Sequence, residues 1–97
     1  MYARMVIFNL GPGMRTMAQT LIEGANVLYN AQKGFKDVTY FGDEGAGEYG
    51  SFSIWESKED AEAAADTVNP KIEEAMSGVS LGPPRFRLFE VFKPNTP

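Results

Sequence analysis

The stretch EYGSFSIWESKEDA, residues 48–61, changes from the pattern of a β-strand to the pattern of an α-helix within two residues. Its first part alternates between two faces, as the side chains of a strand do. Phe52 and Ile54 share one face. The other face mixes aromatic and small polar side chains: Tyr49, Ser51, Ser53 and Trp55. The next four residues, SKED, have the form of a capping box with Asp in place of Glu or Gln, and they predict a helix that begins at Ser57.

The remaining elements follow on both sides of this stretch. On the N-terminal side the pattern predicts a strand over Tyr2–Leu10, a helix from Pro12 or Gly13 to Lys33, and a strand over Phe35–Phe41. A glycine-rich loop, residues 42–47, joins this strand to the one over residues 48–56. On the C-terminal side, apolar residues at helical spacing run from Ala61 to Met76, and a last strand covers Arg85–Lys93.

Pro70 lies inside the second helical pattern. Because proline lacks an N–H and its ring clashes with the preceding turn, we expect a kink or a break near Asn69. The predicted order is βαββαβ, the ferredoxin-like α+β unit with a four-stranded antiparallel sheet and two helices on one face. Residues 1–97 are expected to form a single domain of this kind.

The composition excludes several classes of function. The chain has 97 residues and a net charge of −4, and its nine basic residues are scattered, which disfavours nucleic acid as a partner. It has no cysteine and no histidine, which removes Cys nucleophiles, His bases and Cys/His metal sites, so neither a metal nor a cofactor is expected. The apolar run Met5–Leu10 is too short to span a membrane, and a cytoplasmic protein is the default expectation.

The apolar residues also predict a second copy of the chain as partner. The first and last strands are apolar on both faces, whereas two helices can cover only one face of a four-stranded sheet. An uncovered apolar sheet face would exceed the patch that a monomer normally exposes. We therefore expect a homodimer through the face opposite the helices.

These features resemble the dimeric α+β barrel superfamily, and in particular its antibiotic biosynthesis monooxygenase-like branch. The resemblance covers Tyr2–Lys93. It rests on the element order, on Asn9 late in the first strand (VIFNL), and on the segment Ser53–Ala61 (SIWESKEDA), where a Trp closes a strand and a Ser-capped acidic helix begins. The resemblance implies a pocket between the sheet and the helices of each subunit, which in such families holds a flat aromatic or quinone-like substrate, or haem.

The resemblance also suggests catalytic residues. Asn9 and Trp55 match the positions where these families keep a functional Asn and Trp. We expect both to lie on the helix-covered side of the sheet and to line one cavity. The haem-degrading members need a His on the second helix, and the matching region, Ala63–Thr67, has none, so haem degradation is disfavoured.

Further residues are candidates for substrate binding. Small polar residues cannot fill a core, so those that share the strand face of Trp55 either line a cavity or lie on a half-solvated face. Methionine is an adaptable pocket lining, and an alanine stripe on the second helix adds little bulk above the sheet. The candidate substrate-binding residues are Tyr49, Ser51, Ser53, Met17 and Ala65. A core Trp and an Asn that satisfies the end of a strand would give the same sequence pattern.

Several functions stay open. One is a cofactor-independent monooxygenase acting on an aromatic or quinone-like substrate, in which Tyr49, Tyr40 or a carboxylate would serve as the base. Another is a non-catalytic ligand-binding or structural dimer, and a third is an isomerase or lyase on the same scaffold. The expected partners are a second copy of the chain and a small aromatic molecule, without nucleic acid or membrane.

Overall fold

The computed structural model describes residues 1–95. The elements are β1 (Tyr2–Asn9), α1 (Arg15–Asn30), β2 (Phe35–Asp43), β3 (Glu48–Trp55), α2 (Lys58–Met76) and β4 (Arg85–Glu90). The four strands form one antiparallel sheet in the order β2-β3-β1-β4, and the two helices cover one of its faces. The predicted βαββαβ order and the ferredoxin-like α+β fold are therefore confirmed.

The register of the central pair, β1 and β3, decides which residues share a face. Tyr2 lies opposite Trp55, and Asn9 lies opposite Glu48 at the other end of the ladder. Because residues directly opposite each other in an antiparallel pair point to the same face, Trp55 shares its face with the even-numbered residues of β1. This face carries the buried Val6 and is the one that the helices cover.

Both helices pack on this face through small or apolar side chains. From α2, Ala61 and Ala64 are almost fully buried, and their short side chains let the helix approach the sheet closely. From α1, Ala18 and Tyr29 are buried. Trp55 has no exposed surface and lies between these layers. The core therefore sits between the sheet and the helices.

The N terminus of α2 has the predicted cap. The Ser57 hydroxyl accepts a hydrogen bond from the backbone N–H of Asp60 at 3.1 Å. This bond satisfies one of the N–H groups that a helix leaves without a partner in its first turn. Glu59 and Asp60 place negative charge in the same turn, where the helix dipole favours it.

Of the two outcomes predicted near Asn69, the break is wrong, because α2 continues as one helix through Pro70 to Met76, and the kink stays a prediction. Pro70 itself is exposed, while Val68, Ile72 and Met76 on the same helix are buried. An interior proline costs about 3 kcal/mol. Burial of three large apolar side chains stabilises the helix by roughly 1.5–3 kcal/mol each, which outweighs that cost.

The first helix begins later than predicted, at Arg15, and ends at Asn30 rather than Lys33. Gly11 and Gly13 have φ angles of 79° and 80°, which a right-handed helix does not contain. Gly34, with a φ of 81°, lies in the turn that follows the helix. The last strand is also shorter than predicted and ends at Glu90. Within residues 1–95, no helix is both long and apolar enough to cross a membrane.

The other face of the sheet, here called the open face, has no helix over it. It carries six large apolar side chains from all four strands: Met5, Ile7, Phe41, Phe52, Ile54 and Phe89. Phe41 is 40% exposed and Phe52 is 37% exposed. The apolar patch that the sequence predicts on this side is therefore present.

Candidate ligand-binding site

A cavity of about 390 Å³, here called the chamber, lies between the two helices and the sheet. Small residues create it: Gly24 and Ala25 on α1, Ala75 on α2, and Gly50 and Ser51 on β3 all border the space. Larger apolar side chains form the rest of the wall, among them Phe8, Leu21, Leu28, Ile72 and Met76. A space of this size and lining is typical of a site for a small organic molecule.

Two hydroxyl groups meet at the wall of the chamber. The Tyr29 hydroxyl oxygen on α1 lies 3.1 Å from the Ser51 hydroxyl oxygen on β3, and both residues are buried. Either hydroxyl can donate in this bond, which uses only one of their two hydrogens. The second hydrogen can therefore be donated to an oxygen atom of a bound molecule, and the free lone pairs can accept a hydrogen bond from a hydroxyl group of that molecule.

A third hydroxyl at the wall, that of Tyr40, is held in its protonated form. It donates to the Asn26 side-chain oxygen at 3.0 Å. Burial raises the pKa of Tyr40 well above its ordinary value, and the nearby Tyr29 raises this pKa further. Tyr40 is therefore a hydrogen-bond donor at neutral pH, and it is poorly suited to the role of base that the sequence left open for it.

Arg4 is a buried charge that the sequence analysis missed. Its side chain is 2% exposed, and it lies under the helices on the same face as Val6. One terminal nitrogen, Nη2, donates to the side-chain oxygen of Asn69 on α2. The other, Nη1, is buried and has no hydrogen-bond partner among the described residues. The signal was available in the sequence, since Arg4 has the same strand parity as Val6 and Phe8.

The guanidinium of Arg4 lies over the ring of Tyr29, which is a residue of the chamber wall. Its central carbon lies 5.6 Å from the centre of the Tyr29 ring, which is the geometry of a cation–π contact. In the part of the chain that the structure describes, no carboxylate lies within ion-pairing distance of Arg4. Arg4 is therefore a buried cation whose charge no acidic side chain neutralises.

Asn9 and Trp55 do not come together, and the prediction that they line one cavity is wrong. Asn9 lies on the open face at one end of β1, whereas Trp55 lies on the helix-covered face beside the other end. The cause is the strand register, which gives the odd-numbered residues of β1 the opposite face from Trp55. The Asn9 side-chain oxygen accepts a hydrogen bond from the backbone N–H of Gly11 at 2.8 Å, an arrangement typical of a turn after a strand.

Trp55 is sealed in the core and does not border the chamber. Its indole N–H donates to the Ser53 hydroxyl at 2.9 Å. Its ring packs edge-on against the rings of Tyr29 and Phe35, at centroid distances of 6.2 and 5.5 Å. Trp55 thus contacts Tyr29, a residue of the chamber wall, without bordering the chamber itself. Catalytic roles for Asn9 and Trp55 stay predictions.

The other candidate residues occupy different places. Ser51 borders the chamber, whereas Ser53, Met17 and Ala65 do not. Tyr49 borders a second cleft of about 400 Å³, whose mouth carries the ion pair between Arg15 and Glu44 at 3.5 Å. The Tyr49 hydroxyl is buried without a partner in the described chain. Of the five, Ser51 is the residue that the structure places at the chamber wall.

A metal ion would need a cluster of acidic side chains, since the chain has no cysteine and no histidine. Across residues 1–95, acidic side chains do not gather into a group of three that could hold one. The ionisable side chains that border the chamber are Lys71, Tyr29 and Tyr40. A ligand in the chamber would therefore meet hydroxyl groups and positive charge.

Comparison with known proteins places this fold. No family model and no curated protein matches the sequence. Among solved structures, a protein of unknown function from Nitrosomonas europaea is 18% identical with a TM-score of 0.79, over 99% of this chain and 93% of the other. A monooxygenase from the gene ActVA-Orf6 of Streptomyces coelicolor, in complex with the ligand nanaomycin D, is 20% identical with a TM-score of 0.75, over 99% and 91%.

A variant of SnoaB, a cofactor-independent oxygenase from Streptomyces nogalater, is 13% identical with a TM-score of 0.75, over 99% of this chain and 97% of the other. Two further similar structures are described as antibiotic biosynthesis monooxygenases, one of them from Nitrosomonas europaea. The chain has the fold of antibiotic biosynthesis monooxygenase-like proteins, as its resemblance to that branch of the dimeric α+β barrels predicted.

Proposed function

We propose that the chamber binds a flat aromatic or quinone-like molecule, and that the protein acts on this molecule as a cofactor-independent monooxygenase. The observation that carries the proposal is the chamber itself, an apolar space of about 390 Å³ with the hydroxyl pair of Tyr29 and Ser51 at its wall. Two similar structures are those of oxygenases, and one of these is in complex with nanaomycin D. Both likenesses favour this use of the space.

The chamber suits a flat ring for physical reasons. The rings of Phe8, Tyr29 and Tyr40 form part of its wall, so they can pack against a planar ligand. Carbonyl or hydroxyl oxygens of a quinone or quinol would take hydrogen bonds from the pair formed by Tyr29 and Ser51. Apolar contacts over most of the ligand with a few placed polar groups are the usual composition of such sites.

A second candidate is binding without turnover. It is favoured by the absence of a carboxylate among the residues that border the chamber, and by the position of Asn9 and Trp55 outside it. Without a carboxylate or an imidazole, the chamber offers no ordinary base to remove a proton from a ligand. Measurement of turnover separates this candidate from the oxygenase.

The binding step is tested by filling the chamber. Ala75 borders the chamber, and Ala63 lies on the same helix, is exposed and does not border it. We expect Ala75→Phe to weaken the binding of menadione, a neutral naphthoquinone, at least tenfold in calorimetry, because its ring occupies ligand space. Ala63→Phe is the matched control and should bind as the wild type does. Equal affinity of the two variants would refute binding in the chamber.

The turnover step is tested with oxygen. The wild-type protein is incubated with anthrone and with naphthoquinols, and oxygen uptake is followed together with the mass of the products. The oxygenase is supported if the protein raises the rate of oxygen uptake above the rate without protein. This increase should be lost in Ala75→Phe and kept in Ala63→Phe. Binding that is blocked by Ala75→Phe but brings no uptake supports the non-catalytic candidate.

The open face is proposed to pair with the same face of a second copy. It carries contiguous large apolar side chains from all four strands, including Phe41 and Phe52. A stable pair buries about 800 Å² or more per chain, an area that a four-stranded sheet face can supply. Because a two-fold axis matches the patch with itself, each copy covers the apolar surface of the other.

A further inference from the structure

We propose that Arg4 makes the chamber selective for molecules that carry an oxyanion, so that its ligand is an acidic hydroxyquinone or a similar ionised phenol. The inference rests on the proposed function, since it specifies the class of ring that the same site takes. Arg4 does not border the chamber and acts through Tyr29, so it is a positioning residue.

The first step of the argument is the state of Arg4. A guanidinium stays protonated in proteins, so Arg4 carries its charge wherever it lies. It is 2% exposed, its described partner is the neutral amide of Asn69, and Nη1 has no partner among residues 1–95. Buried charges are normally paired with an opposite charge. A ligand that brings a negative charge into the chamber would supply the missing counter-charge.

The second step is the path from Arg4 to the ligand. The guanidinium lies over the Tyr29 ring at cation–π distance, and the hydroxyl of the same ring is paired with that of Ser51 at the chamber wall. A positive charge over the ring draws electron density from its oxygen and strengthens the hydroxyl as a donor. An anionic oxygen is a stronger acceptor for such a donor than a neutral carbonyl is. The charge of Arg4 therefore acts on the ligand through the Tyr29 hydroxyl, which binds an anionic oxygen more strongly than a neutral one.

The third step is the remaining charge around the chamber. Among the described residues, three elements contribute an ionisable group to the wall: Tyr29 on α1, Tyr40 on β2 and Lys71 on α2. Arg4 on β1 lies over the Tyr29 ring. The chain has thirteen acidic residues against nine basic ones. Within the part of the chain that the structure describes, however, no acidic side chain borders the chamber or forms an ion pair with Arg4. The charge near the ligand is positive in a protein that is negative as a whole.

The fourth step concerns the proton. Tyr40 is held protonated, because burial and the nearby Tyr29 raise its pKa. Among residues 1–95, no carboxylate borders the chamber to accept a proton from a ligand. A molecule that binds as an oxyanion must therefore arrive already ionised. This selects hydroxyl groups made acidic by a quinone or another electron-withdrawing ring, and it disfavours simple phenols.

The test compares two naphthoquinones of similar size. Lawsone is a hydroxyquinone that is an anion at neutral pH, and menadione has no acidic hydroxyl. We expect the wild type to bind lawsone at least tenfold more tightly than menadione in calorimetry. Arg4→Met, which keeps the length and removes the charge, should lower this ratio at least fivefold. Arg4→Lys, which keeps the charge, should retain most of the preference.

Controls separate a ligand role from a structural one. Arg87 lies on the open face, with its guanidinium over the Phe89 ring. Arg87→Met therefore removes one positive charge without changing the chamber. We expect its ratio of affinities for lawsone and menadione to equal that of the wild type. A merely structural role for Arg4 would weaken both ligands equally and lower the urea midpoint of Arg4→Met. We expect this midpoint to stay or rise, since replacing a buried unpaired charge with an apolar side chain is often stabilising.

If Arg4→Met does not fold, Tyr29→Phe gives the second measurement. It keeps the ring under Arg4 and removes the donor, and it should also lower the preference for lawsone. If the wild type binds the two quinones with equal affinity and Ala75→Phe blocks both, the proposed role of Arg4 is overturned. The proposed function is still supported in that case, because the ligands bind in the chamber. Failure of both quinones to bind overturns the two proposals together.

Discussion

The hydroxyl oxygens of Tyr29 and Ser51 lie 3.1 Å apart and join α1 to β3 at the wall of the chamber. We expect Ser51→Ala to weaken the binding of menadione about tenfold, or roughly 1.4 kcal/mol, since the variant removes one hydroxyl and leaves the other without its partner. Ser77→Ala, at the exposed end of α2, is the control. Unchanged affinity in Ser51→Ala would place the ligand away from this pair.

The second prediction concerns Pro70, which is exposed and lies inside the continuous helix α2. We expect Pro70→Ala to raise the free energy of unfolding by up to about 3 kcal/mol, because it restores a backbone N–H and removes the clash of the ring. Urea unfolding measures the change. Pro12→Ala, in the loop before α1, should have a much smaller effect. A lower urea midpoint in Pro70→Ala would mean that the proline serves the packing of this helix.

The third prediction compares two glycines with similar backbone angles. Gly47 and Gly13 have φ angles of 73° and 80°, so an alanine is strained at both. A Cβ on Gly47 would in addition overlap the backbone of Gly11, whereas a Cβ on Gly13 meets open space. We expect Gly13→Ala to cost about 1–2 kcal/mol from the left-handed backbone alone. Gly47→Ala should cost clearly more, and similar losses in thermal unfolding would contradict the close approach.

The fourth prediction concerns pH and Tyr40. Its pKa is raised in the folded protein, so above about pH 10, the ordinary value for tyrosine, the unfolded chain loses a proton that the folded chain keeps. The folded state then binds more protons, and the free energy of unfolding falls as the pH rises. Tyr40→Phe removes this contribution, so its unfolding free energy should fall less steeply between about pH 9 and pH 11. Parallel slopes for the two proteins would argue against it.

The fifth prediction tests the pairing of the open faces. We expect Phe52→Lys to shift the protein to a monomer in sedimentation experiments, because it places a charge in the centre of the apolar patch. Val27→Lys is the matched control, since Val27 is 71% exposed on α1, away from that face. A wild-type monomer at micromolar concentration, or a Phe52→Lys dimer, would show that this face does not form the interface.

The sequence predicted the fold well where the signals are local. The cap at Ser57 depends on four consecutive residues, and the alternation of Phe52 and Ile54 with their neighbours depends on the geometry of one strand. The order of the elements then leaves few arrangements for the sheet. The break expected at Pro70 does not occur, because the local cost of a proline is smaller than the stabilisation from burying one face of α2. That burial depends on tertiary packing, which the local sequence does not contain.

The site was predicted less well because it depends on how strands are aligned. Asn9 and Trp55 differ in face because Trp55 pairs with Tyr2, and a register shifted by one residue would have placed them on the same side. Arg4 could be assigned to the covered face by its parity with Val6. The surroundings of Arg4, however, are set by the positions of α2 and Tyr29 in the fold. No local sequence pattern predicts that these surroundings lack an acidic side chain.

Trp55 is the single tryptophan of the chain, and it is fully enclosed. Its ring packs against Tyr29, and its indole N–H donates a hydrogen bond to the Ser53 hydroxyl. Its emission therefore comes from one dry environment and should be strongly blue-shifted. Because the indole packs against Tyr29, which borders the chamber, a change in emission on ligand addition reports a displacement of Tyr29 or energy transfer to the ligand. The kinetics of ligand binding can thus be followed by the fluorescence of Trp55, without any added label.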